Sequence, residues 1–183
     1  MISLRDIRPE DKDKIRQWRN KPEIAKFMYT DHTISEEEHE KWFSRIMSDP
    51  TCRYWIIVCD DRDVGVVNIY NLDPRNKRCY WAFYVAEEGL RGRGVGSFVE
   101  YSTLLYVFEQ LQFKKLCCEV LDFNTSVVEM HQKFGFQVEG KFRSHIWKGG
   151  QFANIYCLGI LREEWEAEKA TLSAQLRQKG ILP

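Results

Sequence analysis

The chain has little from which to build a membrane or export segment. Purely apolar runs such as Trp55–Cys59 are short, against the roughly 20 residues that a spanning helix needs. The first residues, Met1-Ile-Ser-Leu-Arg-Asp-Ile-Arg-Pro9, offer neither the apolar core nor the small-residue cleavage site of a secretory signal. The expected setting is the cytoplasm, with no membrane partner. Net charge is missing too: 27 basic and 27 acidic residues cancel, so no global field draws the chain to nucleic acid and any anion site has to be local. The six cysteines include no C-x-x-C pair and lie mostly in apolar, strand-like segments. That suits reduced, buried thiols, and no metal site is expected. Repeats, low-complexity tracts and interdomain linkers are absent from the sequence.

What is present suffices for one mixed α/β core, with 183 residues of which 44% are hydrophobic. Ile2 to Arg8 reads as a strand stopped by Pro9, and Glu10, Asp11 and Asp13 load the first turn of a helix to about Asn20, ended by Pro22. Ser35 and Glu38 form a capping-box pattern before a helix whose apolar face is Trp42, Phe43, Ile46 and Met47. Arg53 to Cys59 and Val64 to Tyr70 flank a polar turn, and Cys79 to Val85 completes three antiparallel strands. There follow a helix from Gly94 to Glu109, a strand from Lys115 to Leu121, a helix near Asn124 to Phe134, and strands around Gln137 to Arg143 and Asn154 to Ile160. Residues 1–165 are read as the domain and 166–183 as a helical tail. Trp165, Leu172 and Leu176, set in dense charge over Arg162 to Lys179, suggest a surface helix or a homodimer contact.

The most informative stretch is Arg91-Gly92-Arg93-Gly94-Val95-Gly96, between the strand Cys79–Val85 and the helix beginning at Gly94. A glycine-rich turn lets backbone N–H groups converge on one point, and the following helix adds the positive end of its dipole, so a pyrophosphate is the natural guest. The spacing is neither a P-loop nor G-x-G-x-x-G. It resembles R-x-x-G-x-G, the acetyl-coenzyme A loop of the GNAT N-acetyltransferases, with Arg91, Gly94 and Gly96 in the diagnostic positions. A second stretch agrees: Asn124, Val127, Lys133, Gly135 and Phe136 match the family's N-x-x-(A/V)-x-x-x-Y-x-K-x-G-F, with His131 where Tyr is usual. The resemblance spans Arg5 to about Trp165. It implies a single-domain α/β GNAT fold, whose mostly antiparallel sheet is splayed at the coenzyme site by a β-bulge in the strand ending Tyr84-Val85. Free backbone groups there would hold the pantetheine arm and the thioester carbonyl.

Within that family, Trp18-Arg19-Asn20, Phe27 to His32, Glu38 to Phe43, Trp81-Ala-Phe-Tyr84 and Cys118 to Leu121 resemble the nucleotide-sugar N-acetyltransferases of pseudaminic acid biosynthesis. Those act on the 4-amino group of UDP-4-amino-4,6-dideoxy-N-acetyl-β-L-altrosamine. Acetyl transfer to an amine requires a base, charge stabilisation at the thioester oxygen and a proton for the departing thiolate. Glu119, ending a buried strand, is the expected base, acting directly or through water. His131, seven residues after Asn124 and so on the same helix face, is the expected proton donor. Tyr84, Val85, Arg91, Gly92, Arg93, Gly94, Val95, Gly96, Asn124 and His131 are the expected coenzyme contacts. Met28, Tyr29 and Tyr84 are candidates for the nucleotide and sugar, and Arg19 for an anionic or carbonyl group or else a structural ion pair. Asn68 could bind the sugar or position the base's water. Acetyltransferases of protein amino termini share several of these features, and a coenzyme-binding sensor that no longer transfers is a third reading.

Overall fold

A computed structural model describes residues 1–90 and 92–183. The element order is β1 (Ile2–Asp6), α1 (Lys12–Asn20), α2 (Pro22–Ala25), α3 (Glu36–Ser48), β2 (Arg53–Cys59), β3 (Arg62–Asp73), β4 (Arg78–Val85), α4 (Val95–Leu105), β5 (Lys115–Leu121), α5 (Thr125–Lys133), β6 (Gln137–Lys148), β7 (Gln151–Leu161) and α6 (Arg162–Gln178). A 3-10 turn at Pro9–Asp11 leads into α1, and π-helical Tyr106–Gln110 ends α4. The seven strands form one mixed sheet in the order β1-β2-β3-β4-β5-β7-β6. Its only parallel neighbours among the described residues are β4 and β5. No helix of the described residues is long and apolar enough to cross a membrane.

The strand alternation assigns side chains to two cores. Adjacent Ile56 and Ile57 are both fully buried but on opposite faces of the sheet. Ile56 joins Ile15, Trp18, Phe43 and Ile46 from α1 and α3. Ile57 joins the larger cluster with Trp81, Leu104, Phe108 and Trp165. Ser35 caps α3 as its sequence predicts, its Oγ accepting the Glu38 N–H at 3.2 Å. The buried stripe of α3 is His39, Phe43 and Ile46, and the expected member Met47 is exposed. The 39–43–46 spacing keeps one face, whereas residue 47 falls to its side.

Two other readings are corrected by packing. In α6, Trp165, Leu172 and Leu176 are buried in the larger core, with Trp165 edge-on to Tyr101 at 5.4 Å. The stripe that suggested an oligomer contact is thus covered by the chain itself, in a helix that runs from Arg162 to Gln178. The final hairpin extends to Lys148 and begins again at Gln151, beyond the expected Arg143 and Asn154. Ser144–Lys148 is mostly exposed and so carries no inward apolar alternation to announce a strand.

The sheet opens where the resemblance implies, by a different device. Rungs between β4 and β5 run only from Arg78↔Lys115 to Tyr80↔Cys117. Past them, Trp81–Val85 and Cys118–Leu121 line opposite walls of a cavity. The expected bulge in β4 is not there: its rungs to β3 are unbroken from Tyr80 to Val85. The irregularity lies in β3, where Val64 is skipped in the pairing with β2. Next to it, a Cβ on Gly65 would stand 2.1 Å from the Tyr84 carbonyl oxygen, so only glycine admits this approach to the end of β4.

Candidate active site

The cavity between the separated strands has a volume of about 700 Å³, and Tyr84, Val85, Glu119, Asn124 and His131 all border it. The amino terminus of α4 lies nearby, its Gly96 close to Phe83, which lines the cavity. Gly94 is the N-cap residue with φ 78° and ψ 8°, a left-handed conformation that disfavours a side chain. The N–H groups of the first turn have no intrahelical acceptors, and no acidic residue lies in that turn to compete with an anion. Val95 is buried and anchors the helix start in the core, while Gly96 faces Met130 and Phe83 closely. These features fit a pyrophosphate on backbone N–H groups.

Arg91 lies outside the described residues. Arg93 binds Asp60 on the β2–β3 turn at 2.5 Å, so its guanidinium already has an anionic partner. Gly92 has φ 81°. A Cβ at Gly94 would lie 2.5 Å from Ile181 Cδ1. Substitution there would therefore disturb the carboxyl-terminal segment as well as the loop, a coupling that the sequence does not reveal.

In the wall of this cavity, Glu119 is half-buried on β5. The Tyr29 hydroxyl donates to its Oε2 at 2.7 Å, and Tyr29 has its pKa pushed up by burial and then by this carboxylate. Tyr29, a candidate for the nucleotide and sugar, also borders the adjoining cavity, and its bond to the carboxylate is an additional contact that the sequence did not suggest. A second cavity of about 310 Å³ adjoins, bordered by Arg19, Met28, Tyr29, Asn68, Tyr84 and Glu119. The residues proposed for the acceptor and for the base thus share one space. Asn68 sits on β3 opposite Ala82. Two groups there lack partners: Arg19 Nε and the Tyr84 hydroxyl are both buried without a hydrogen bond. The one bond of Arg19 is a long 3.5 Å contact from Nη2 to Thr30, so the structural ion pair considered for it does not form among the described residues. Beside it, burial lifts the Tyr54 phenol to about 12, with Arg19 acting in the opposite sense.

Three features escaped the sequence reading. Tyr70 and Tyr80, ring centroids 5.7 Å apart, flank an outer opening with Tyr29, Arg78 and Glu119; they read only as strand residues. Lys148, at the hairpin tip, donates to the carbonyls of Ala25 at 3.0 Å and Thr30 at 3.1 Å. It straps the segment carrying Met28 and Tyr29, a contact across more than a hundred residues that no local pattern encodes. Glu100, fully buried, pairs with His131: Oε1 lies 2.8 Å from Nδ1. A signal existed for it, as the lone charge in the otherwise uncharged stretch Phe98–Leu105.

Comparison with known proteins agrees with this geometry. The sequence model of the Acetyltransferase (GNAT) domain matches residues 2–137. An uncharacterized N-acetyltransferase, YokL, of an SPbeta prophage in Bacillus subtilis is 28% identical over 170 residues, covering 90% of this chain and 92% of the relative. Acetyltransferase PseH of Campylobacter jejuni is 28% identical over 141 residues, covering 75% of this chain and 86% of its own. Spermidine N(1)-acetyltransferase of Escherichia coli is 22% identical, covering 93% and 91%. In three dimensions, spermidine N-acetyltransferase of Vibrio cholerae, solved with CoA and spermine, superposes with a TM-score of 0.83 at 19% identity over 90% of this chain and 98% of that one. With the family model covering most of the sequence and the splayed sheet and helix start it requires, the chain belongs to the GNAT acetyltransferase family and is an acetyl-CoA-dependent N-acetyltransferase.

Proposed function

We propose that the acceptor is a nucleotide-linked amino sugar, the 4-amino group of UDP-4-amino-4,6-dideoxy-N-acetyl-β-L-altrosamine in pseudaminic acid biosynthesis. The observation that carries this reading is the pair of unsatisfied donors, Arg19 Nε and the Tyr84 hydroxyl, in the cavity that also contains Glu119. Buried donors without partners are costly, so they favour an acceptor rich in carbonyl or phosphate oxygens. A polyamine, the substrate in the names of several relatives, offers only N–H donors and positive charge, and would set cation against guanidinium. Met28, Trp42 and Tyr54 line the same cavity, giving apolar and aromatic surface for a base or sugar ring.

Acetyl-CoA supplies an acetyl thioester activated for attack. The first N–H groups of α4 receive the pyrophosphate, and free backbone along Tyr84-Val85 receives the pantetheine arm. Glu119 takes the proton released by the amine, directly or through water, with Asn68 of β3, which borders the same cavity, to orient it. His131 holds a proton for the sulfur.

Incubation with acetyl-CoA and a panel of UDP-amino sugars, spermidine and peptides with free amino termini, read by mass shift, tests this. Acetylation of a nucleotide sugar at a rate well above the others is expected. Preferential acetylation of spermidine or of peptide amino termini would overturn it.

A further inference from the structure

A carboxylate with no access to solvent, in the middle of an apolar helix, has a high desolvation cost unless it has a partner. Glu100 is such a group, 0% exposed on α4. Burial pushes its pKa up, against a smaller opposing effect of His131. Its Oε1 meets His131 Nδ1 at 2.8 Å, and its Oε2 has no partner. The ring is held edge-on to Trp81 at 5.2 Å and tilted against Phe136 at 5.3 Å. With Nδ1 taken, the free ring nitrogen is Nε2, which has no hydrogen bond among the described residues, on a side chain that borders the cavity.

We propose that Glu100 is the positioning residue of the reaction: its carboxyl group fixes the His131 ring through Nδ1 and so keeps a proton-bearing Nε2 toward the departing sulfur. This rests on the reading of His131 as the proton donor, given above. In the step, a bond forms between the amine nitrogen and the acetyl carbon, and the C–S bond breaks with its electron pair remaining on sulfur. The amine loses one proton, toward Glu119 or water. Sulfur gains one from Nε2. The proton shared between Glu100 and Nδ1 then resides on the ring, leaving a neutral imidazole and a carboxylate, and water restores the spent proton. A phenol in the place of His131, as in the common family pattern, carries its own proton and needs no such partner.

The pair is testable without turnover. In protein labelled with ¹⁵N-histidine, the His131 resonances are identified by their loss in His131→Tyr. The intact protein should show a slowly exchanging, hydrogen-bonded proton at Nδ1, absent from a folded Glu100→Met variant. Absence of that proton in the unaltered protein would overturn the pairing itself. Thiol release from acetyl-CoA, with whichever amine of the panel is accepted, gives the second readout. Glu100→Gln should lower kcat by about tenfold or more, with KM for acetyl-CoA little changed. The same substitution should be nearly silent in the His131→Tyr background. An equal loss in both backgrounds would reduce Glu100 to a packing role. His131→Ala with unchanged turnover would instead remove His131 as donor and leave the hydrogen-bonded pair standing, so the two failures are distinguishable.

Discussion

Glu119 and Glu100 are the same side chain, each on a ring-bearing partner at nearly the same distance, 2.7 Å from Tyr29 and 2.8 Å from His131. Their surroundings differ. Glu119 is half-buried and borders three cavities, so it can exchange protons with an acceptor or with water. Glu100 is sealed in the core and can exchange only with His131. The first suits a base that must be reset every cycle; the second suits a clamp that holds another group's orientation. Access to solvent, more than residue type, separates the two roles.

Removing the half-buried carboxylate is the severest way to test that contrast. Glu119→Gln should lower turnover at neutral pH by about 10²-fold or more, recovering in part at higher pH as free amine becomes abundant. A constant ratio of variant to parent rate across that range would show that Glu119 is not the base. Tyr29→Phe removes only the hydroxyl on Glu119, for which about tenfold in kcat/KM is expected. Because the Tyr29 pKa is raised above its ordinary 10 by burial and by Glu119, the hydroxyl keeps its proton at pH 10. The parent's advantage over Tyr29→Phe should therefore persist there; its collapse near pH 10 would contradict the hydrogen bond.

Smaller effects sharpen the comparison. Lys148→Met should loosen the segment that carries Tyr29 and raise KM for the acceptor several-fold, with kcat and acetyl-CoA affinity little altered; a loss confined to kcat would count against the strap. The smallest effect is on stability. A carboxyl whose folded pKa is raised contributes stability that is complete below its unfolded value, 4.5 for Glu100, and is lost as pH rises through the folded value. Facing Glu100 are His131 from α5 and the Cys118 thiol from β5, itself pushed up by burial and by Glu100. The stability of the parent relative to Glu100→Gln should fall as pH rises from about 4.5 to neutrality. Chemical unfolding across that range measures it, and a rising difference would contradict the sign.

Much of the structure around the α4 start and α5 was legible because its determinants are local. The turn from Gly92 to Gly96 and the run from Asn124 to Phe136 are contiguous in sequence, and strands β2 and β5 lie where their apolar patterns predict. The cavity proposed for the acceptor was legible only as a set of residues. Arg19, Met28, Asn68, Tyr84 and Glu119 do meet in one cavity, but the Tyr29–Glu119 bond joins positions 90 apart. The Lys148 strap crosses still more of the chain. The bulge was sought in β4 because the resemblance implied it there. In fact the extra residue is Val64 in β3, where Gly65 allows the close approach. Such pairings depend on register, which alternation does not reveal where a strand is buried on both faces and reads as a continuous apolar run.

The most direct test of the proposed acceptor compares two substrates on two proteins. The rate constant kcat/KM is measured for the UDP-amino sugar and for the same amino sugar without its nucleotide, in the parent and in Arg19→Leu. If the unpaired guanidinium receives oxygen atoms of the nucleotide portion, the parent should prefer the nucleotide sugar strongly and Arg19→Leu should reduce that preference by about 10- to 100-fold, with the free sugar little affected. An unchanged preference in the folded variant would contradict the assignment of the acceptor.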